Sequence, residues 1–458
     1  MIALTLGEIA GIVDGAVDGD PETVVSGPAF LDSRKPEPGG LFVAIAGEHV
    51  DGHDYAVGAV ESGASAVIGS RPSGAPAVVV PDVEAALQSL AAEVLRRLRR
   101  ANADLRVVAV TGSQGKTTAK DMLAAVLADA APTVATYQSF NNELGLPLTV
   151  LRADASTRYL VLEMGARGVG HIAALCAIAP PDVSLVLNVG VAHLGEFGSQ
   201  EAIAQAKGEI VEALGPHGIA VLNLDDPLVA AMAPRTRGRV RTFGRGAGAD
   251  RRLEAVELDA FGRPSFDLHH ADERVRVQLR LLGEHQATNS AAAAAVGRAL
   301  GLRLDRIADA LARIGTLSPW RMELRERSDG LVVVNDAYNA NPDSMRAALE
   351  TLAGIGRRTG RRTVAVLGEM RELGDSSDAA HQRLGSLAAE LGIDAVVAVG
   401  EGARSITETA RAASFYPSVA EASDGVRDNV GGGDVVLVKA SRAAGLEVLA
   451  AALLAETE

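Results

Sequence analysis

Short apolar runs recur along the chain, each separated from the next by enough residues for a helix. In the middle third they are RVVAV (106–110), YLVLE (159–163), VSLVLN (183–188) and IAVLNL (219–224). Runs of this length without alternation predict strands buried on both faces, which is the pattern of a parallel α/β sheet. The style returns in LVVVNDAY (331–338), TVAVLGEM (363–370), DAVVAVGEG (394–402) and DVVLVKASR (434–442), each run closing on a charged residue: Asp336, Glu369, Glu401 and Lys439. Open parallel sheets bind ligands at the carboxyl ends of their strands, so a site is expected at these polar terminations. Nearer the N-terminus, FVAI (42–45) and SAVIG (65–69) predict a smaller α/β unit closed by the helix DVEAALQSLAAEVLRRLRR (82–100). The pattern breaks again at TLSPWR (316–321), where Pro319 follows the helical LRLDRIADALARIG. Three domains are therefore expected, over residues 1–102, 103–316 and 317–458. The charged, alternating stretch 245–280, with RVRVQLRL, predicts a peripheral antiparallel hairpin on the middle one.

Composition narrows the class. Apolar residues make up 48% and charged residues 22%, with no apolar run near the roughly 18 residues a membrane helix needs. The first residues, MIALTLGEIAGIVDG, lack a basic start and carry Glu8, so a signal peptide is not expected. Cys176 is the single cysteine, which excludes an intrachain disulfide and fits a reducing cytoplasm. A net charge of −14 disfavours wrapping nucleic acid or an anionic membrane, while leaving room for a local anion pocket. The 44 basic residues include only five lysines, at 35, 116, 120, 207 and 439. Where arginine supplies most charge, a retained lysine marks a place where a compact ammonium or an amine nucleophile is needed.

One segment carries specific chemistry. RVVAVTGSQGKTTAKDML reads as a strand, a glycine-punctuated turn and a helix opening at Lys116. Amides of such a turn (Gly112, Ser113, Gly115) point at phosphates together with those of the helix start. Lys116 reaches the terminal phosphates, and a hydroxyl of Thr117 or Thr118 suits Mg²⁺. The general phosphate-loop pattern wants glycine five positions before Gly115, and Val110 stands there instead. The variant TGSQGKTT resembles the ATP loop of the Mur ligase family, which includes folylpolyglutamate synthetases. The resemblance continues in order through NNELGLPLTVL (141–151), EMG (163–165), NVGVAHLGEFGSQEAIAQAKGEI (188–210), GEHQATNSAAAAA (283–295), DAYNANPDSM (336–345), GEMRELG (368–374) and VKASR (438–442). DSR (32–34) and GEHVDGHDY (47–55) are similar to the family's UDP-sugar-binding N-terminal domain.

The resemblance implies a central phosphate-loop mononucleotide-binding sheet, a C-terminal Rossmann-like domain, and ATP-driven amide formation with ATP and Mg²⁺. A carboxylate takes the γ-phosphoryl group, and an amine then displaces phosphate from the acyl phosphate. By resemblance, Glu163 and His193 hold metal with Thr117. Lys207 becomes a metal ligand once CO₂ converts its amine to a carbamate, a conversion arginine cannot undergo. Asn289 matches the adenine-binding asparagine, although Gln286 departs from the pattern beside it. Arg321 and Asp336 reach back to the γ-phosphate and the ribose, which implies closure of the C-terminal domain over the nucleotide. Ser33, Arg34 and Asn142 are candidates for the UDP-sugar, and Lys439 for a dipeptide carboxylate. Read without the family, each has a bland alternative: a cap for Asn289, a turn residue for Asn142, a surface ion pair for Arg321 and Asp336, and a solvated helix lysine beside Glu209 for Lys207.

Within the family, the motifs imply a monomeric cytoplasmic enzyme joining D-Ala-D-Ala to a UDP-N-acetylmuramoyl tripeptide. The member that adds the third amino acid typically carries DNPR, which is absent from this sequence. A folylpolyglutamate synthetase leaves residues 1–100 unaccounted for. A regulatory phosphate-loop NTPase explains Lys116 without explaining Lys207 and His193.

Overall fold

The computed structural model describes residues 1–455 except 48–49, 139, 191–196 and 316–317, with the side chain of Asp375 also left aside. Among these residues, nine strands form the central sheet in the order 273–278, 264–270, 251–258, 239–244, 219–223, 183–186, 106–111, 159–163 and 133–135. The seven from 251–258 to 133–135 run parallel, and the predicted strands coincide with them; Tyr159–Glu163 is matched residue for residue. Segment 245–280 differs from expectation. It is three antiparallel strands, Arg251–Leu258, Pro264–His270 and Glu273–Gln278, continuous with the main sheet through the pairing of Phe243 with Arg251. Parallel pairing at that edge lets the meander complete the sheet, so it is no separate appendage.

The chain leaves strand Arg106–Thr111 toward strands 133–135 and 159–163 on one side, then crosses to 183–186 and 219–223 on the other. That reversal makes the carboxyl end of Arg106–Thr111 the crevice of the sheet. One face is covered by helices Lys116–Ala128, His285–Ala299 and Leu304–Arg313, with Met122, Leu123, Val126, Ala291–Ala295 and Leu311 in one core. The run of alanines leaves little side-chain bulk between helix His285–Ala299 and helix Lys116–Ala128, allowing a close approach. The opposite face shares its core with the N-terminal unit: Leu87, Leu90, Val94 and Leu98 of helix Val83–Ala101 join Leu146, Leu160 and Leu175. Cys176 lies in this core, where burial pushes its thiol up to about 12.

The N-terminal unit adds a five-stranded, mostly parallel sheet. Beyond Pro319 a six-stranded sheet follows, parallel except for strand Glu323–Glu326, with strand Asp434–Lys439 between Val332–Asp336 and Arg362–Leu367. Register pairs Asp336 with Lys439, so both charges stand at one carboxyl edge. No helix among the described residues is long and apolar enough to cross a membrane.

Candidate active site

The carboxyl edge of the central sheet faces that of the C-terminal sheet across a cleft of about 740 Å³. Its lining includes Ser113–Thr118, Asn141, Asn142, Glu163, Lys207, Asn289, Arg321, Asp336 and Lys439. These residues are up to 326 positions apart in sequence, and the two switch points of the sheets bring them together.

The phosphate loop is braced from behind. Asn188, at the end of the neighbouring strand, accepts from the Ser113 amide at 3.0 Å through its carbonyl and from the Gln114 amide at 2.9 Å through Oδ1. Its own Nδ2 donates to the Gln114 carbonyl at 3.2 Å. Gly115 sits at φ +75°, and a Cβ there would lie 2.9 Å from Asn289 Oδ1, so the loop needs glycine for both backbone and space. Helix Lys116–Ala128 starts at that point, and its leading amides have no preceding carbonyl to serve, which suits an anion. Lys116 donates to the Gly112 carbonyl at 2.8 Å. Desolvation lowers its pKa, the nearby Glu163 opposes this, and Arg321 adds to the lowering.

Glu163 ends its strand at 1% exposure. Its Oε1 accepts from Asn141 Nδ2 at 2.7 Å, its amide donates to Thr136 Oγ1 at 3.0 Å, and Oε2 is buried without a hydrogen-bond partner among the described residues. An orphaned carboxylate oxygen is costly unless something binds it. Thr117, also buried, lines the same cleft.

Lys207 overturns the reading of a solvated lysine, since it is 4% exposed on helix Gln200–Glu212. Burial, with Lys116 nearby, holds its pKa well below the ordinary lysine value, favouring the neutral amine. Glu209 is buried as well: its carboxylate accepts from the amides of Gly170 at 2.5 Å and Ala173 at 2.9 Å, capping helix His171–Ile178. Between them Gly208 admits the guanidinium of Arg235, which donates to the carbonyls of Ala204 at 3.2 Å and Gln205 at 2.9 Å and from Nε to Glu212 at 2.8 Å. The signal for this burial was present in the spacing: Ile203, Lys207 and Ile210 share one helix stripe. His193 lies outside the described residues.

Asn289 Nδ2 donates to Gln286 Oε1 at 3.0 Å, so the unexpected glutamine orients the asparagine. Arg321 is flanked by two left-handed residues, Trp320 at φ +58° and Met322 at φ +49°, conformations that cost about 1–3 kcal/mol each and persist only where surroundings enforce them. Its guanidinium lies 4.2 Å over the ring of Tyr338, whose amide donates to the Trp320 carbonyl at 3.1 Å. Asp336 Oδ1 accepts from the Met322 amide at 3.0 Å, tying Asp336 to the same turn.

The four expected substrate residues fare differently. Lys439, 2% exposed, is engaged by the Asp336 carboxylate and by the Asn339 carbonyl at 2.8 Å, so its ammonium is committed within the protein. Asn142 lines the cleft while its Oδ1 caps Gly145 at 2.9 Å. Ser33 and Arg34 do not line the cleft; Arg34 is turned to Asp32 with its side chain 87% exposed, and Leu31 is the neighbour that reaches the cleft. Asn141, Asn188 and Tyr338 act here without having been singled out for these contacts.

The sequence matches the family profiles described as Mur ligase middle domain over residues 110–297, Mur ligase glutamate ligase domain over 320–442, and Mur ligase family catalytic domain over 30–103. The UDP-N-acetylmuramoyl-tripeptide–D-alanyl-D-alanine ligase of Mycobacterium tuberculosis is 45% identical over 505 aligned positions, covering 100% of this chain and 98% of that protein. The chain belongs to the Mur ligase family. Its relatives under the same enzyme name include that of Escherichia coli, 36% identical with 99% of both chains covered. Among solved structures, MurF from Acinetobacter baumannii matches this Mur ligase with a TM-score of 0.86 at 33% identity over 99% of each chain. MurF from Thermotoga maritima, solved in complex with ADP, matches at 0.78 and 34% identity over 93% of this chain and 96% of its own. The three-domain α/β architecture of this Mur ligase is thus that of its family.

Proposed function

We propose that this Mur ligase uses ATP to join D-Ala-D-Ala to UDP-N-acetylmuramoyl-tripeptide in the cytoplasm, completing a peptidoglycan precursor. The single observation that carries the chemistry is the meeting of Lys116, the orphaned Glu163 oxygen and the buried amine of Lys207 in one interdomain cleft. The full-length relatives of the same enzyme name support the choice of substrates.

In this reading the amides of the phosphate loop and Lys116 bind the triphosphate, Asn289 takes the adenine, and Asp336 the ribose. Arg321 and Lys116 neutralise charge spreading over the transferred γ-phosphoryl group, the main contribution a protein makes to such a step. The tripeptide's terminal carboxylate oxygen attacks γ-phosphorus and ADP departs. The D-Ala-D-Ala amine then adds to the acyl phosphate, loses a proton, and inorganic phosphate leaves. Thr117, Glu163 and a carbamate on Lys207 would hold Mg²⁺, which would supply charge neutralisation for phosphoryl transfer. The carbamate forms as the neutral Lys207 nitrogen attacks CO₂ and releases a proton. Its depressed pKa favours the neutral form this requires. Tyr338 holds the Arg321 plane by stacking, and Lys439 serves by keeping Asp336 in place instead of meeting the dipeptide.

Phosphate release from ATP tests the reading. It should require both UDP-tripeptide and D-Ala-D-Ala, and release indifferent to either one refutes the ligase assignment. Lys207→Arg should be inactive although a basic side chain is kept, and an active Arg variant refutes the carbamate.

A further inference from the structure

Lys120 is the one buried lysine with no part in the chemistry above. It lies one turn beyond Lys116 on the phosphate-loop helix, at 1% exposure. Its ammonium donates to the carbonyls of Thr136 at 2.7 Å and Gln138 at 3.4 Å, and to Asp121 Oδ1. Three donors meet three acceptors, a convergence that a compact ammonium satisfies and a planar guanidinium does not. The second oxygen of Asp121 leaves the central domain's business altogether. It accepts from Ser318 Oγ at 2.6 Å and from the Ser318 amide at 3.2 Å, at the start of the linker to the C-terminal domain.

Ser318 is three residues before Arg321, a tether of at most about 10 Å. On the other side, Met322 is fastened to Asp336 and Trp320 to Tyr338. Arg321 therefore hangs between an anchor on each domain, on a backbone whose two left-handed flanking residues need such anchoring to persist. An aspartate held by a buried lysine is a rigid peg, since its carboxylate cannot rotate without breaking a buried ammonium contact.

We infer that Asp121, locked by Lys120, is a positioning residue that pins the linker at Ser318 and so sets Arg321 over the nucleotide loop. This rests on the ATP-site reading given above for Arg321. The two anchors make the hinge begin after Ser318, and couple the helix that receives the phosphates to the arginine that arrives from the other domain.

The test is a double-mutant cycle of Ser318→Ala with Arg321→Ala in the full-length enzyme, following kcat for phosphate release, KM for ATP and for UDP-tripeptide, and the thermal midpoint. Ser318→Ala should lower kcat about tenfold with KM for UDP-tripeptide and the midpoint unchanged. In the Arg321→Ala background it should have no further effect, because a peg for an absent side chain does nothing. Asp121→Asn should lower kcat as Ser318→Ala does, with a lower thermal midpoint because buried Lys120 loses its counter-charge, and Trp320, the only tryptophan, should report the freed linker by altered fluorescence. Wild-type kcat in Ser318→Ala, or an effect that multiplies independently with Arg321→Ala, overturns the inference. Wild-type kcat in Arg321→Ala itself overturns the ATP-site reading first, and the inference with it.

Discussion

Gly208→Ala sets two magnitudes against each other next to Lys207. In an ordinary helix interior, alanine for glycine stabilises by about 0.5–1 kcal/mol. Here an added Cβ would fall within the guanidinium of Arg235, which must swing away. The displaced group loses its bonds to the carbonyls of Ala204 and Gln205 and its pair with Glu212. Glu212 is 44% exposed, so that pair contributes at most about 1 kcal/mol. The two carbonyls already serve helical amides and stay satisfied, so their loss is about 1 kcal/mol together, below the usual range for a charged donor. The sum reverses the propensity gain: Gly208→Ala should loosen helix Gln200–Glu212 by about 1 kcal/mol, whereas in an Arg235→Ala background it should tighten it by about as much. Amide hydrogen exchange along that helix is the appropriate assay, since three domains give no single two-state unfolding free energy. A coupling of about 2 kcal/mol appears as a roughly 30-fold difference in protection between the two backgrounds, at tenfold per 1.4 kcal/mol. Equal slowing of exchange in both backgrounds refutes the clamp.

Other expected outcomes follow from the same contacts. Lys207→Met should raise the thermal midpoint near pH 7 in CO₂-free buffer while abolishing activity. Burial shifts the amine toward its neutral form in the fold, while the unfolded chain binds the proton up to about 10.5, so wild-type stability climbs with pH between the lowered pKa and about 10.5. The advantage of methionine should accordingly shrink as pH rises. Gly115→Ala should raise KM for ATP about tenfold or more, given a Cβ 2.9 Å from Asn289 Oδ1 at φ +75°, and leave UDP-tripeptide binding by calorimetry unchanged. Lys439→Met should lower the thermal midpoint by leaving Asp336 largely buried without its cation, a loss of about 3 kcal/mol, with most of it recovered in Lys439→Met/Asp336→Asn.

Strand positions were legible because buried parallel strands are short apolar blocks, and the polar residue closing each block marked the edge where Glu163, Asp336 and Lys439 stand. The phosphate loop was legible for a related reason, since glycine, lysine and threonine at a strand-to-helix turn have few other uses. What each charge pairs with was not legible. Lys439 at a strand end looks the same in sequence whether it meets a ligand or Asp336, because the partner comes from a strand 103 residues away and adjacency follows from sheet order. Burial of Lys207 and Lys120 could have been taken from helix spacing, and a prior that lysines are solvated masked it. Arg34 illustrates the same point on the surface: its local pairing with Asp32 is a property of the turn and not of the motif that singled it out.

The scarcity of lysine has a practical side. Lys120, Lys207 and Lys439 are enclosed and Lys116 sits within the cleft, while the Met1 amino group donates to the Ser26 carbonyl in a residue only 8% exposed. Lys35 alone among the five is exposed, on the N-terminal unit away from the cleft lining. Among its lysines the protein thus offers one convenient handle for attaching a dye, a tether or a surface, with the reactive centre shielded by its own fold.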